Sequence, residues 1–108
     1  MNRGDVYWVN LEPSVGSEAN KRRPCVIVSR DASNRAAATV TIVAVTSNVR
    51  RIYPFDVYLK DVLDKPSKVQ ANQVRTISKE RLLGSPVTRL SGDLMKQIDA
   101  ALRLHLAL

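Results

Sequence analysis

Apolar and polar residues follow two periods along this chain, and the change of period divides it. From Asp5 to Leu11 they alternate, with Val6 and Trp8 opposite Tyr7, Val9 and Leu11, which predicts a strand. The stretch "EPSVGSEANKRR" holds Pro13, Gly16 and small polar residues and reads as a loop, long for a compact domain. Pro24 to Ser29 reads as a second strand, since proline is tolerated at a strand start. "RDASNRAAA" reads as a polar connection. Thr39 to Val45, "TVTIVAV", is almost continuously apolar and β-branched, the pattern of a central strand covered on both faces. A basic loop, "TSNVRRIYP", leads to Phe55–Lys60, where Phe55, Val57 and Leu59 alternate with Asp56, Tyr58 and Lys60. "DVLDKPS" is turn-rich. Lys68 to Arg75 reads as an unusually polar strand. "SKERLL" reads as a helical turn capped by Ser78 and ended by Gly84, and Pro86–Arg89 as a last short strand.

After Ser91 the period changes to that of a helix. Ser91 is a suitable N-cap and Asp93 sits in the first turn, where a negative charge is favourable. Leu94, Ile98, Ala101, Leu102 and His105 then share one face, with Asp99 and Arg103 expected to pair outside. Short strands followed by one amphipathic helix predict an α+β fold, mostly β: a small antiparallel barrel or curled sheet. Residues 1–108 are expected to form one domain, with no internal repeat, low-complexity segment or linker.

Charge sharpens this picture. The chain carries 17 Lys and Arg against 10 Asp and Glu, a net +7, with a pI near 10.1. Such a balance in a small domain points to a polyanionic partner or to a basic, well-solvated surface. Aromatic residues are only 5% of the chain, so a nucleic-acid site would rest on charge and hydrogen bonds more than on stacking. Cys25 is the one cysteine, which excludes an intrachain disulfide and a cysteine-rich zinc site and fits the cytoplasm. The N-terminal "MNRGDVYWVN" lacks the apolar core of a signal peptide. No stretch reaches the roughly 18 apolar residues of a membrane span, so no membrane partner is expected.

Most catalytic chemistries find no support. His105 is the only histidine, which excludes a two-histidine ribonuclease mechanism within one chain; it reads as a packing or interface residue. The acids are scattered without metal-site spacing, so no metal is expected. Phosphate-binding and dinucleotide glycine motifs are absent, so no cofactor is expected, and there is no nucleophile elbow. Cys25 lies inside an apolar run and reads as a buried, inert thiol. Cations and hydroxyls remain. Lys21, Arg22 and Arg23 stop at Pro24; Thr46 ends the central strand and is followed by Ser47, Asn48, Arg50 and Arg51. Two strand ends meeting at one rim would set the Arg23 guanidinium beside the Thr46 hydroxyl, an arrangement suited to a phosphate. In the alternative, Arg23 makes a surface ion pair and Thr46 caps a turn. Spacing alone leaves both open.

"RGDVYWVNLEPSVGSEANKRRPCVIVS", then "VTSN", then "NQVRTI" with "RL" and a terminal amphipathic helix, resembles the toxin family of the MazF and PemK type. The likeness covers nearly the whole chain and keeps the order of the motifs. It implies an SH3-like β-barrel that forms a homodimer. It also implies metal-independent, sequence-specific cleavage of single-stranded RNA, and an antitoxin whose acidic, flexible tail occupies the RNA groove. The family's catalytic arginine falls on Arg23 of the RRP turn and its catalytic threonine or serine on Thr46. Some relatives use a late arginine and an acid instead. Arg75 matches that arginine, but Thr76 and Ile77 follow it where an acid is wanted, so Arg23 with Thr46 fits better.

On this reading Arg23 sits at the scissile phosphate, while Lys21 and Arg22 hold the flanking backbone without reading sequence. Attack by the RNA's own 2′-OH needs no cofactor and leaves a 2′,3′-cyclic phosphate and a 5′-OH. The loops Glu12–Lys21 and Ser47–Tyr53 are the expected base readers. Gln70, Asn72, Gln73 and Arg75 are added from the polar strand; amides on an edge strand that are merely solvated are the alternative. Two other readings compete: a gyrase-poisoning toxin of the same barrel superfamily, and an RNA-binding module without activity. Relatives of the first engage gyrase through a C-terminal tryptophan, whereas this chain ends "LHLAL" and its only tryptophan is Trp8.

Overall fold

The computed structural model describes residues 1–108. In chain order the elements are β1 (Asp5–Asn10), β2 (Arg22–Ile27), α1 (Asp31–Ala36), β3 (Thr39–Thr46), β4 (Asp56–Leu59), β5 (Ser67–Ser78), a 3₁₀ turn (Lys79–Arg81), β6 (Leu82–Arg89) and α2 (Gly92–Leu106). The strands form one antiparallel sheet in the order β4-β5-β3-β2-β1-β6. This is the expected mostly-β α+β fold. Its edges β4 and β6 do not pair, so the barrel stays open as a curled sheet.

The pattern of β3 dictates where the core sits. Val43 and Val45 face a cluster with Val6, Val26, Leu59 and Val69 that is completed by Met95, Ile98 and Ala101 of α2. Ile42 and Ala44 face a second cluster with Tyr7, Val9, Leu11, Cys25 and Ile27. A strand apolar on both faces is thereby buried on both. Helix α2 starts where Ser91 Oγ accepts from Leu94 N at 3.3 Å. Its Leu94 and Leu102 pack against the first cluster. His105 is exposed, its ring 5.9 Å from that of Phe55. No helix is long and apolar enough to cross a membrane.

Four local expectations are corrected. "RDASNRAAA" contains the helix α1, fixed at its end by Lys79 Nζ, which donates to the Asn34 carbonyl. Strand β5 runs to Ser78 rather than Arg75. Gly84, at φ +67°, lies inside β6 and does not end the 3₁₀ turn. Asp99 pairs with Arg3, which the fold brings over from the N-terminus, and not with Arg103. The Ser78 cap is as expected, its hydroxyl accepting from Glu80 N at 3.3 Å.

The β3–β5 ladder has one break. Val43 faces Val74, but Ala44 faces Gln70, so Ala71, Asn72 and Gln73 leave the β3 register. That excursion carries Asn72 and Gln73 towards the β1–β2 loop and shapes one side of the site.

Candidate active site

The β2–β3 pairing places the two residues singled out from the sequence. Cys25 faces Ala44, Val26 faces Val43 and Ile27 faces Ile42. The paired register stops at Cys25 and Ala44, and Arg23 and Thr46 lie two residues beyond it on the ends of the two strands. By strand alternation both lie on the face of the second core cluster. Both residues line one depression at the open end of the strands.

Each group is held with a donor left over. Arg23 Nε donates to the Asn20 carbonyl at 3.0 Å, and Nη2 to Asn20 Oδ1 at 3.3 Å. It forms no ion pair, since the three ion pairs of the chain are Arg3–Asp99, Lys68–Asp56 and Arg89–Asp5. The rest of the guanidinium edge is free to meet an anion. Thr46 Oγ1 accepts from Asn48 N at 3.2 Å. Thr46 therefore does close a turn, but by accepting, which leaves its own proton to donate.

The cations preceding Arg23 are set by a strained turn. Lys21 has φ 62°, a left-handed conformation that costs a non-glycine residue roughly 1–2 kcal/mol. Two hydrogen bonds hold it: Lys21 N donates to Glu12 Oε1 at 2.8 Å, and Leu11 N to the Lys21 carbonyl at 2.9 Å. The bond from Lys21 N is the main reason the Glu12 carboxyl titrates below its ordinary value. Lys21 and Arg22 are exposed beside the pair.

Two depressions lie in this part of the molecule, and the first holds both Arg23 and Thr46. The first, about 650 Å³, is lined by Trp8, Arg22, Arg23, Pro24, Thr46 and Ser47 on one side and by Val62–Lys65 on the other. The second, about 450 Å³, lies under the β1–β2 loop against Ala44, Asn72, Gln73 and Arg75. Arg50 and Arg51 are exposed on the β3–β4 loop; Arg50 N donates to Asn48 Oδ1 at 3.3 Å, and the Arg51 guanidinium lies 6.0 Å from the Tyr53 ring centroid. Gln70 faces Ala44 and Asp56 across its two ladders. Asn72 is exposed on the excursion.

Gln73 and Arg75 are differently engaged than the sequence indicates. Gln73 Oε1 accepts from Ala19 N at 2.9 Å and its Nε2 donates to the Ser17 carbonyl at 3.3 Å. Both ends of the amide are therefore occupied, and Gln73 acts as a strut for the loop. Arg75 Nη1 donates to the Leu11 carbonyl at 2.9 Å. Arg81, which the sequence does not single out, donates to the Asn10 and Glu12 carbonyls. Nor does the sequence single out Lys68, which faces Thr46 across the β3–β5 ladder with a nearly buried side chain. No periodicity marks it, because lysines are exposed by default. Burial pushes the Cys25 thiol up to about 12, against the smaller opposing pull of Arg23 and Arg75. A thiol that stays protonated at neutral pH is a poor nucleophile.

Comparison with known proteins places this arrangement. The chain is 45% identical to the Mycobacterium tuberculosis protein named endoribonuclease MazF9, over 100% of this chain and 98% of the relative. It is 34% identical to endoribonuclease EndoA of Bacillus subtilis, over 100% and 96%. Among solved structures it matches MazF from Deinococcus radiodurans with a TM-score of 0.89 at 25% identity, covering 100% and 97%. It matches a mycobacterial endoribonuclease in complex with its cognate antitoxin with a TM-score of 0.83 at 30% identity, covering 100% and 96%. With residues 2–106 matching the family as a whole, the chain belongs to the PemK-like, MazF-like toxins of type II toxin–antitoxin systems.

Proposed function

We propose that this chain is an endoribonuclease that cuts single-stranded RNA, most naturally messenger RNA, at a phosphate seated between Arg23 and Thr46. The observation that carries the reading is that those two side chains line one depression, each with a donor unpaired. The names of the relatives MazF9 and EndoA support the same activity.

The chemistry follows from what two fixed donors can do. The 2′-oxygen attacks the adjacent phosphorus, a P–O2′ bond forms, and the P–O5′ bond breaks. The 2′-hydroxyl proton is lost and the departing 5′-oxygen gains one. The products are a 2′,3′-cyclic phosphate and a 5′-hydroxyl, with no water consumed and no cofactor engaged. Negative charge grows on the non-bridging oxygens, where Arg23 and the Thr46 hydroxyl act as preorganised donors. Arginine stays protonated and is assigned to charge stabilisation, not to general-base work. Lys21, Arg22, Arg50 and Arg51 bind flanking phosphates, while Ser47, Asn48, Gln70 and Asn72 offer hydrogen bonds to bases. Gln73 and Arg75 contribute by fixing the β1–β2 loop.

Residues 1–108 act as a single toxin domain in the cytoplasm, where RNA cleavage halts translation and growth. Leu104, Leu106 and Leu108 are exposed at the end of α2, which supports a homodimer that covers them and joins two basic surfaces. An acidic antitoxin tail competes with RNA for that surface, a reading supported by the mycobacterial relative solved with its antitoxin. The test is incubation of the purified chain with a long single-stranded RNA in EDTA. Discrete cleavage supports the reading. RNA binding without cleavage supports the inactive module, and intact RNA together with loss of supercoiling in a separate gyrase assay with magnesium and ATP supports the gyrase poison.

A further inference from the structure

Lys68 occupies a place that a stability role alone does not explain. It stands directly opposite Thr46 in the β3–β5 register, and its side chain is only 7% exposed. Its ammonium donates to Asp56 Oδ2 at 2.7 Å and to the Arg51 carbonyl at 2.6 Å. It also lies 5.1 Å from the Tyr53 ring centroid, within cation–π range. Asp56, whose side chain is fully buried, accepts in turn from Tyr53 N at 2.8 Å. Ammonium and carboxylate thus grip the loop after Thr46 at two points, Arg51 and Tyr53.

Little else fixes that loop. From Ser47 to Ile52 the remaining hydrogen bonds are internal: Asn48 N to Thr46 Oγ1 and Arg50 N to Asn48 Oδ1. Lys68 provides the hydrogen bond that ties this stretch to β5. A buried ion pair of this kind usually stabilises a fold no better than apolar residues of the same shape. Asp56 Oδ1 is moreover buried without a partner, which is a further cost. What the pair does supply is a defined position for the Arg51 carbonyl and the Tyr53 ring.

Resting on the nuclease reading above, we propose that Lys68 is a positioning residue for RNA recognition. With Asp56 it locks the β3–β4 loop so that Ser47, Asn48 and Arg50 meet the RNA in one conformation. Discrimination between RNA sequences then depends on a lysine that does not itself touch the bases. The Thr46 hydroxyl stays in place through its own strand, so removing the clamp loosens selection more than chemistry.

The test uses a randomised single-stranded RNA pool cut by the parent, by Lys68→Met and by Lys68→Met/Asp56→Asn, with cut sites mapped and thermal midpoints measured. The double variant removes both charges while keeping the side-chain shapes, so it relieves the unpaired carboxylate of the single variant. On the parent's preferred sites kcat/KM is expected to fall on the order of 10²-fold in both variants, the scale of a misplaced recognition element. On other sites it falls less, so the cut-site spectrum broadens, and it stays broad in the double variant although the midpoint returns towards the parent's. An unchanged spectrum in the variants overturns the proposal. So does a spectrum that recovers together with the midpoint in the double variant, since that marks a purely structural role. A parent that leaves the pool uncut overturns the nuclease reading instead.

Discussion

Replacing Thr46 by valine removes one hydroxyl and almost no volume, which isolates the part of the site that Thr46 supplies. Two interactions are lost. The acceptor of Asn48 N, 3.2 Å away at the loop start, is a partly solvated hydrogen bond worth about 0.5–1.5 kcal/mol. In a domain of this size that lowers the melting temperature by roughly 4–8 °C per kcal/mol. The donor to the phosphate is a preorganised group of the oxyanion-hole kind, whose loss costs about 10²–10³ in rate, or about 2.7–4 kcal/mol. The catalytic loss therefore exceeds the stability loss severalfold. Single-turnover cleavage of a fluorogenic RNA at a temperature well below the melting transition separates them. Thr46→Ser retains the hydroxyl and is expected to stay within roughly tenfold of the parent, at least one order of magnitude above Thr46→Val. A Thr46→Val rate within threefold of the parent, with the protein folded, refutes the assignment of the hydroxyl to the transition state.

Three further outcomes follow from the same geometry. Arg23→Ala is expected to lose about 10²–10³ in cleavage rate, whereas Lys21→Ala and Arg22→Ala each lower the salt dependence of RNA binding by roughly one unit of slope; a dead Arg22→Ala beside an active Arg23→Ala contradicts the register. The lowered titration of Glu12 gives the β1–β2 loop an acid limit. A carboxylate whose folded value lies below the unfolded one stabilises above the unfolded value and ceases to as pH falls through the folded one. Protection of the residue 12–21 amides, taken relative to the intrinsic exchange rate at each pH, is then steady down to the ordinary glutamate range near 4.5 and falls below it, while Glu12→Ala is expected to be less protected throughout without that acid step. An antitoxin tail that shares the basic surface raises the apparent KM for RNA and binds more weakly as salt rises; independent, simultaneous binding of both excludes a shared site.

Much of this fold was legible because single segments carry their own pattern. The run Thr39–Val45 is apolar on both faces and is buried on both. Ser91 and the residues at helical spacing after it define α2. The misses share one cause, which is that the deciding contact is distant in sequence. The six-residue α1 has no room for an amphipathic repeat. Strand β5 is broken by an excursion whose reason is the β1–β2 loop it supports. Asp99 has an ideally spaced arginine on its own helix, yet the fold delivers Arg3. The site behaves the same way. The cations and the strand-end hydroxyl are visible as residue types, but the depression that Arg23 and Thr46 share exists only once β2 and β3 pair. Gln73 looked like a base reader because its loop partners, Ser17 and Ala19, lie far back along the chain. Lys68 gave no signal, because its burial depends on Asp56 and Arg51 converging on it.

If Arg23 and Thr46 assist an attack by the RNA's own 2′-hydroxyl, that hydroxyl is indispensable to cleavage. The most direct measurement takes a short RNA containing one mapped cleavage site and replaces the single ribose that bears the attacking hydroxyl with 2′-deoxyribose. Mass spectrometry then reads the product ends of both oligonucleotides in EDTA. The all-ribose strand is expected to give a 2′,3′-cyclic phosphate and a 5′-hydroxyl, and the substituted one to bind undiminished without being cut. Cleavage of the 2′-deoxy strand, or products bearing a 5′-phosphate, would contradict attack by the 2′-hydroxyl.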